Sequence, residues 1–134
     1  MDMSITKELG LKYFELSEFD CNCDNCTNIA GTGAYMNPEF LIKLDKAREL
    51  AKTSFFITSG YRCFEHNINV GGRVGSEHPK GNAVDIRYND SAQRYAILKG
   101  LLDAGFTRIG LGKTFIHVDC STEKAQSIIW TYEY

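Results

Sequence analysis

The sequence predicts a single α+β domain, and three observations predict it. Stretches with apolar residues at three-to-four spacing are interspersed with short β-rich runs. The links between several of the strands are short, which suggests antiparallel pairing. The chain has 134 residues, the size of one domain, and such a chain buries about two-thirds of its unfolded surface. Hydrophobic residues make up 43% and charged residues 24%, an ordinary globular balance that argues against disorder or repeats. A net charge of −2 lacks the basic excess of an electrostatic nucleic-acid binder, so no nucleic-acid partner is expected. No apolar run approaches the ~20 residues of a membrane span, so no membrane partner is expected either.

The elements follow in order. Residues 1–20 carry Leu9, Leu11, Tyr13, Phe14, Leu16 and Phe19, and read as an extended or short-helical arm packed on the domain. Residues 21–36 are rich in Cys, Asn, Asp, Thr and Gly, and read as a loop. Asn37-Pro38-Glu39 starts a helix: Asn37 caps, Pro38 gives up an N–H that has no partner there, and Glu39 suits the positive end of the dipole. Phe40, Leu41, Leu44, Ala47, Leu50 and Ala51 form its apolar face, and it ends near Lys52. Ser54–Thr58 is a short β-rich run, and residues 64–70 a short helix. Residues 71–75 form a glycine-rich loop. Asn82–Tyr88 alternates as a strand, with Val84 and Ile86 on one face and Ala83, Asp85 and Arg87 on the other. Asn89-Asp90-Ser91 caps a second helix that runs to about Ala104 and stops at Gly105. Its apolar positions are Ala92, Tyr95, Ala96, Leu98, Leu101 and Leu102. Thr107–Leu111 and Phe115–Cys120 are strands joined by a turn at Gly112-Lys113, and Ile128–Tyr132 is a last strand.

The residues that carry chemistry are His78, Asp85 and His117. In Ser76-Glu77-His78-Pro79-Lys80-Gly81-Asn82-Ala83-Val84-Asp85, a histidine leaves a loop and an aspartate follows on a strand. Pro79 and Gly81 permit a sharp reversal, so both side chains can aim at one point. In Phe115-Ile116-His117-Val118-Asp119, alternation puts His117 and Asp119 on one face and Ile116 and Val118 on the other. Polar groups on a strand between apolar neighbours need partners. Two histidines and one carboxylate are a catalytic zinc set, with a position left for water.

Three runs then fall into one pattern: Ser59-Gly60-Tyr61-Arg62, Ser76-x-His78-x-x-Gly81-x-Ala83-x-Asp85 and His117-Val118-Asp119. This pattern resembles the zinc D-Ala-D-Ala carboxypeptidase family, which includes phage L-alanyl-D-glutamate endopeptidases and is similar in fold to the hedgehog signalling domain. Ser17-Glu18-Phe19, Asn67 with Gly71-Gly72, and Trp130-x-Tyr132 add to it, so the resemblance spans about residues 14 to 132. It implies a hedgehog/DD-peptidase-like fold, a central antiparallel sheet flanked by helices. It implies Zn²⁺ held by His78, Asp85 and His117, and Arg62 on a substrate carbonyl or developing oxyanion. Ser76 either contacts substrate or holds the His78 loop. Asp119 either orients His117 or takes the proton of the attacking water.

The implied activity is hydrolysis of amide bonds in peptidoglycan stem peptides, of carboxypeptidase or endopeptidase type. The start of the sequence shows no basic stretch followed by an apolar one, so no signal peptide is expected. That fits a monomeric phage or viral enzyme, made in the cytoplasm and acting on the cell wall after holin release or as a virion component. One departure matters. Many family members place an acid, the general base, three positions before the second zinc histidine, and here that position is Thr114. Asp119 is then the first candidate base and Glu77 the second. The alternative is a zinc-binding wall or virion module that lacks the base and does not cleave. A further alternative is a cysteine-rich structural protein with chance motif matches.

Five cysteines are many for so short a chain, and their odd number leaves one outside any monomeric disulfide scheme. Cys21, Cys23 and Cys26 with Cys63 would make a four-thiolate zinc site, although Cys-x-Cys-x-x-Cys is not the usual paired spacing. A disulfide from the loop to Cys63 and plain reduced thiols are the competing readings. Cys120 should face the core and be inert. His66 reads as a surface or groove-lining residue and not a ligand. Trp130, Tyr132 and Tyr134 read as strand packing, with Trp130 alternatively walling the cleft. Arg73 and Lys80 border the His78 loop as solvated charges that could attract acidic groups.

Overall fold

In a computed structural model of the chain, residues 9–23, 31–72 and 75–132 are described here. They form three helices and five strands: α1 (Pro38–Ala51), β1 (Phe56–Ser59), α2 (Phe64–Asn69), β2 (Ala83–Arg87), α3 (Ser91–Asp103), β3 (Arg108–Leu111), β4 (Phe115–Asp119) and β5 (Ile128–Thr131). Short 3-10 turns stand at Leu16–Phe19, Thr32–Tyr35 and His78–Lys80.

Both long helices start where their caps place them. The Asn37 side chain accepts from the Glu39 N–H at 3.0 Å, with Pro38 in the first position of α1. The Asp90 carboxylate accepts from the Gln93 N–H at 2.8 Å at the head of α3. Their buried faces are narrower than the apolar spacing suggests. In α1, Phe40, Leu41, Leu44 and Ala47 are buried, but Leu50 is exposed. In α3 the core residues are Ile97 and Leu101, whereas Tyr95 and Leu102 face solvent. Apolar residues are spread around most of α3, so spacing alone does not orient it.

The strands form one sheet in the order β1-β2-β4-β3-β5. The pairs β1–β2, β2–β4 and β3–β4 are antiparallel, but β5 runs parallel to β3, so the sheet is mixed where an antiparallel one was expected. The reason is topological. The β3–β4 hairpin returns the chain to the end of the sheet where β3 began, with Ile109 opposite Val118. A strand that starts there and lies along β3 must point the same way as β3, and Ile128 pairs with Arg108.

Alternation gives the sheet two different faces. Val84, Ile86, Ile109, Ile116 and Val118 point into the core with the apolar faces of α1 and α3 and with Phe55. Phe14, Leu16 and Phe19 of the arm join the same core. The opposite face carries Asp85, His117, Asp119, Arg108 and Trp130. No helix among the described residues is long and apolar enough to cross a membrane.

Candidate metal centre

Strand register builds the centre. Ser59 of β1 is opposite Asp85 of β2, Asp85 opposite His117 of β4, His117 opposite Gly110 of β3, and Gly110 opposite Trp130 of β5. Residues directly opposite point to the same face, so one row across the sheet brings these side chains together. Gly110 is needed in that row. A Cβ there would lie 2.5 Å from the Trp130 indole nitrogen, so only a glycine lets the indole reach across to His117, at 5.6 Å between ring centroids.

His78 enters from the 3-10 turn just before β2. Gly81 closes that turn at φ 73°, a left-handed conformation that favours glycine, and a Cβ there would meet the Tyr35 carbonyl oxygen. The Ser76 hydroxyl accepts from the His78 N–H at 3.2 Å.

The ligand atoms of His78, Asp85 and His117 all lie within 4.8 Å of one another, and all three residues are buried. His78 Nδ1 is 2.8 Å from the Gly60 carbonyl, which can only accept, so that nitrogen carries the proton. Its other nitrogen, Nε2, stands 3.4 Å from Asp85 Oδ1. His117 is tied the opposite way round. Its Nε2 meets Asp119 Oδ2 at 2.9 Å, and its Nδ1 faces Asp85 Oδ1 at 3.0 Å. Each imidazole thus has one nitrogen fixed from behind and the other turned to Asp85, the arrangement that metal-binding histidines need. The donor set fits zinc.

The electrostatics agree. Burial disfavours the charged form of Asp85, but hydrogen bonds from His117 and His78 outweigh it and hold the carboxyl far below the ordinary range. Burial likewise opposes an imidazolium at His117, yet the bonds to Asp119 and Asp85 outweigh it and raise its pKa. A carboxylate held ionised beside two imidazoles offers a cation a counter-charge.

The remaining expected residues stand as follows. Arg62 donates from Nε to Ser59 Oγ at 2.8 Å, from Nη1 to Asn67 Oδ1 at 3.2 Å and from Nη2 to Asp85 Oδ2 at 3.2 Å, so it borders the centre. Asp119 spends Oδ2 on His117 and Oδ1 on Arg108 Nε at 2.7 Å and the Ser121 N–H at 3.1 Å. Burial opposes its charge, but the bonds from His117, Ser121 and Arg108 keep its pKa low. Glu77 turns to Asn82, Lys80 and Lys124; burial raises its pKa, and those three bonds more than reverse the effect. Thr114 lies exposed at the β3–β4 turn, where its carbonyl accepts from the Tyr88 N–H. Cys120 packs against the core, and burial pushes its thiol up to about 11, which makes it inert. Lys80 is paired with Glu77. Cys26, Arg73 and Tyr134 lie outside the described residues.

Arg108 was missed by the sequence reading. Buried on the polar face, it pairs with Asp119 and stacks its guanidinium 5.0 Å from the Trp130 ring. The available signal was its position on the strand, two residues before Gly110 and therefore on the same face as it.

Two imidazoles and a carboxylate converging on one face of a mixed sheet make a candidate site for a single metal ion. The family model described as peptidase M15 matches residues 12–119, most of the chain, and the chain belongs to that family of zinc D-Ala-D-Ala carboxypeptidase-type peptidases. A comparison with curated proteins found no match.

Proposed function

We propose that the protein is a zinc-dependent peptidase that hydrolyses amide bonds in peptidoglycan stem peptides, of carboxypeptidase or endopeptidase type. The observation that carries this reading is the convergence of His78 Nε2, Asp85 and His117 Nδ1, each histidine fixed through its far nitrogen. These three residues would hold the zinc. When bound there, zinc makes water a nucleophile at neutral pH and polarises an amide carbonyl.

The chain's own groups then divide the work. Arg62 uses three of its five N–H donors on Ser59, Asn67 and Asp85. Its remaining donors and permanent charge suit the negative charge that grows on the amide oxygen. Asp119 is a positioning residue: it holds the proton on His117 Nε2, and Arg108 holds Asp119. Of its two expected roles, the orienting one matches this geometry, because its oxygens are engaged on the edge of His117 that faces away from Asp85. Trp130 walls the centre beside His117 and limits water there. A phage or viral origin, with release through a holin or carriage in the virion, completes the reading.

A specific observation favours a second reading. Thr114 stands where the resemblance places the general base, and the carboxylates of Asp119 and Glu77 are both engaged with cations. On this reading the protein binds wall peptides through a zinc centre without cleaving them. Incubation with purified peptidoglycan, with products analysed by mass spectrometry, separates the two. The peptidase reading expects new amino groups and shortened stem peptides. It expects their loss with chelator or in His117→Ala, and their return when zinc is added back to the wild type. Cleavage that ignores the chelator contradicts the metal mechanism. Binding of fragments without cleavage at high protein concentration establishes the second reading.

A further inference from the structure

A second cluster of metal-ligating side chains shares no residue with the first. Cys21 Sγ lies 3.6 Å from Cys23 Sγ, and Cys23 Sγ lies 3.5 Å from Cys63 Sγ. The three sulfurs lie within 4.8 Å of one another. His66, expected as a surface or groove-lining residue, places its Nδ1 3.2 Å from Cys21 Sγ. Sulfurs bound to one tetrahedral zinc, at about 2.3 Å each, stand about 3.8 Å apart, whereas a disulfide joins its sulfurs at about 2.05 Å. The observed spacing is that of ligands around a shared ion.

Local sequence explains how the donors meet. Cys21-x-Cys23 follows the Leu16–Phe19 turn, and Cys63-x-x-His66 spans the first turn of α2, where residues three apart share a side. Two backbone N–H groups point at the sulfurs: that of Cys63 to Cys21 Sγ at 3.5 Å, and that of His66 to Cys63 Sγ at 3.3 Å. Donors aimed at sulfur favour thiolate over thiol and fix the ligand's orientation. Three thiolates, with the His66 imidazole beside Cys21 as the fourth donor, would make a closed structural site with no position left for water.

We propose that Cys21, Cys23, Cys63 and His66 bind a second, structural zinc ion. The ion staples the N-terminal arm to the loop between β1 and α2. That loop also carries Arg62, beside Cys63, and Gly60, whose carbonyl fixes His78. The Tyr61 N–H already bonds the Phe19 carbonyl at 2.9 Å across the same junction. Binding at the cysteines therefore supports the geometry of the first centre without taking part in its chemistry. The inference rests on its own donors and stands whether or not the protein cleaves peptides.

The test is metal analysis and cobalt spectroscopy on the full chain, purified reduced and without chelator. The expected result is about two zinc ions per chain. Replacement by Co²⁺ should give thiolate-to-cobalt charge-transfer absorption in the near ultraviolet, which the nitrogen and oxygen donors of the first centre cannot produce. Asp85→Ala should lose about one zinc and keep this absorption. Cys63→Ser should abolish it, and His66→Ala should weaken cobalt binding at the thiolate site. A metal-loaded wild type without thiolate absorption overturns the proposal, and so does an intact mass showing a disulfide between Cys63 and Cys21 or Cys23. If His66→Ala binds unchanged while Cys26→Ser loses the ion, the assignment of the fourth ligand is overturned. Should Cys63→Ser not fold, the wild-type and Asp85→Ala spectra decide the question alone.

Discussion

At the residue scale, the centre is a chain of buried charges that runs Arg108, Asp119, His117, Asp85, Arg62. Each member bonds the next, so removing one takes a partner from a largely buried charge. Arg108→Leu leaves Asp119 with His117 and the Ser121 N–H but without its cation, and breaking a buried pair costs up to about 3–5 kcal/mol, measurable by denaturant unfolding. Asp119→Asn is milder. It keeps the shape but weakens the hold on His117, so zinc affinity at the first centre should fall about 10–100-fold in chelator competition. Unchanged affinity would remove Asp119 from its positioning role. Gly110→Ala should push the indole off His117, because the new Cβ would lie 2.5 Å from the Trp130 nitrogen. Trp130 is the one tryptophan in the chain, so its fluorescence should shift to the red as the ring becomes wetter. Asp85 and His117 were legible in the sequence because a polar residue alternating with buried apolar ones needs a reason to be there, and His78 because Pro79 and Gly81 let its loop turn back toward Asp85. Arg108 was not, because a single arginine on a strand looks like a solvated charge until its partner on the neighbouring strand is known. His66 was hidden for a related reason: its partner Cys21 lies 45 positions away in the chain.

At the element scale, the helices show what local chemistry decides and what it leaves to packing. The start of α1 was readable to the residue and that of α3 to the run Asn89-Asp90-Ser91, since Asn37 and Asp90 hold their N–H partners directly. Asn37→Ala should cost about 1 kcal/mol in chemical denaturation. The buried faces were less readable. Apolar residues cover more of each helix than the sheet can, so Leu50, Tyr95 and Leu102 are left outside while Ile97 is inside. Leu44→Ala and Ile97→Ala should therefore each destabilise by about 2–5 kcal/mol, and Tyr95→Ala by less than about 0.5 kcal/mol. A large effect at Tyr95 with none at Ile97 would contradict the orientation of α3.

At the scale of the whole molecule, the sheet sorts the sequence into a dry face that stabilises and a polar face that acts. The alternation of β2 and β4 made that division visible beforehand. The parallel placement of β5 was not visible, because strand order depends on where β4 delivers the chain, not on the composition of β5 itself. That placement matters for function: it sets Trp130 opposite Gly110 and beside His117. The central claim is that His78, Asp85 and His117 hold zinc on the polar face. Its most direct measurement is the zinc content of folded Asp85→Ala beside that of the wild type. The account predicts about one zinc ion fewer per chain in the variant, and equal zinc in the two proteins would contradict it.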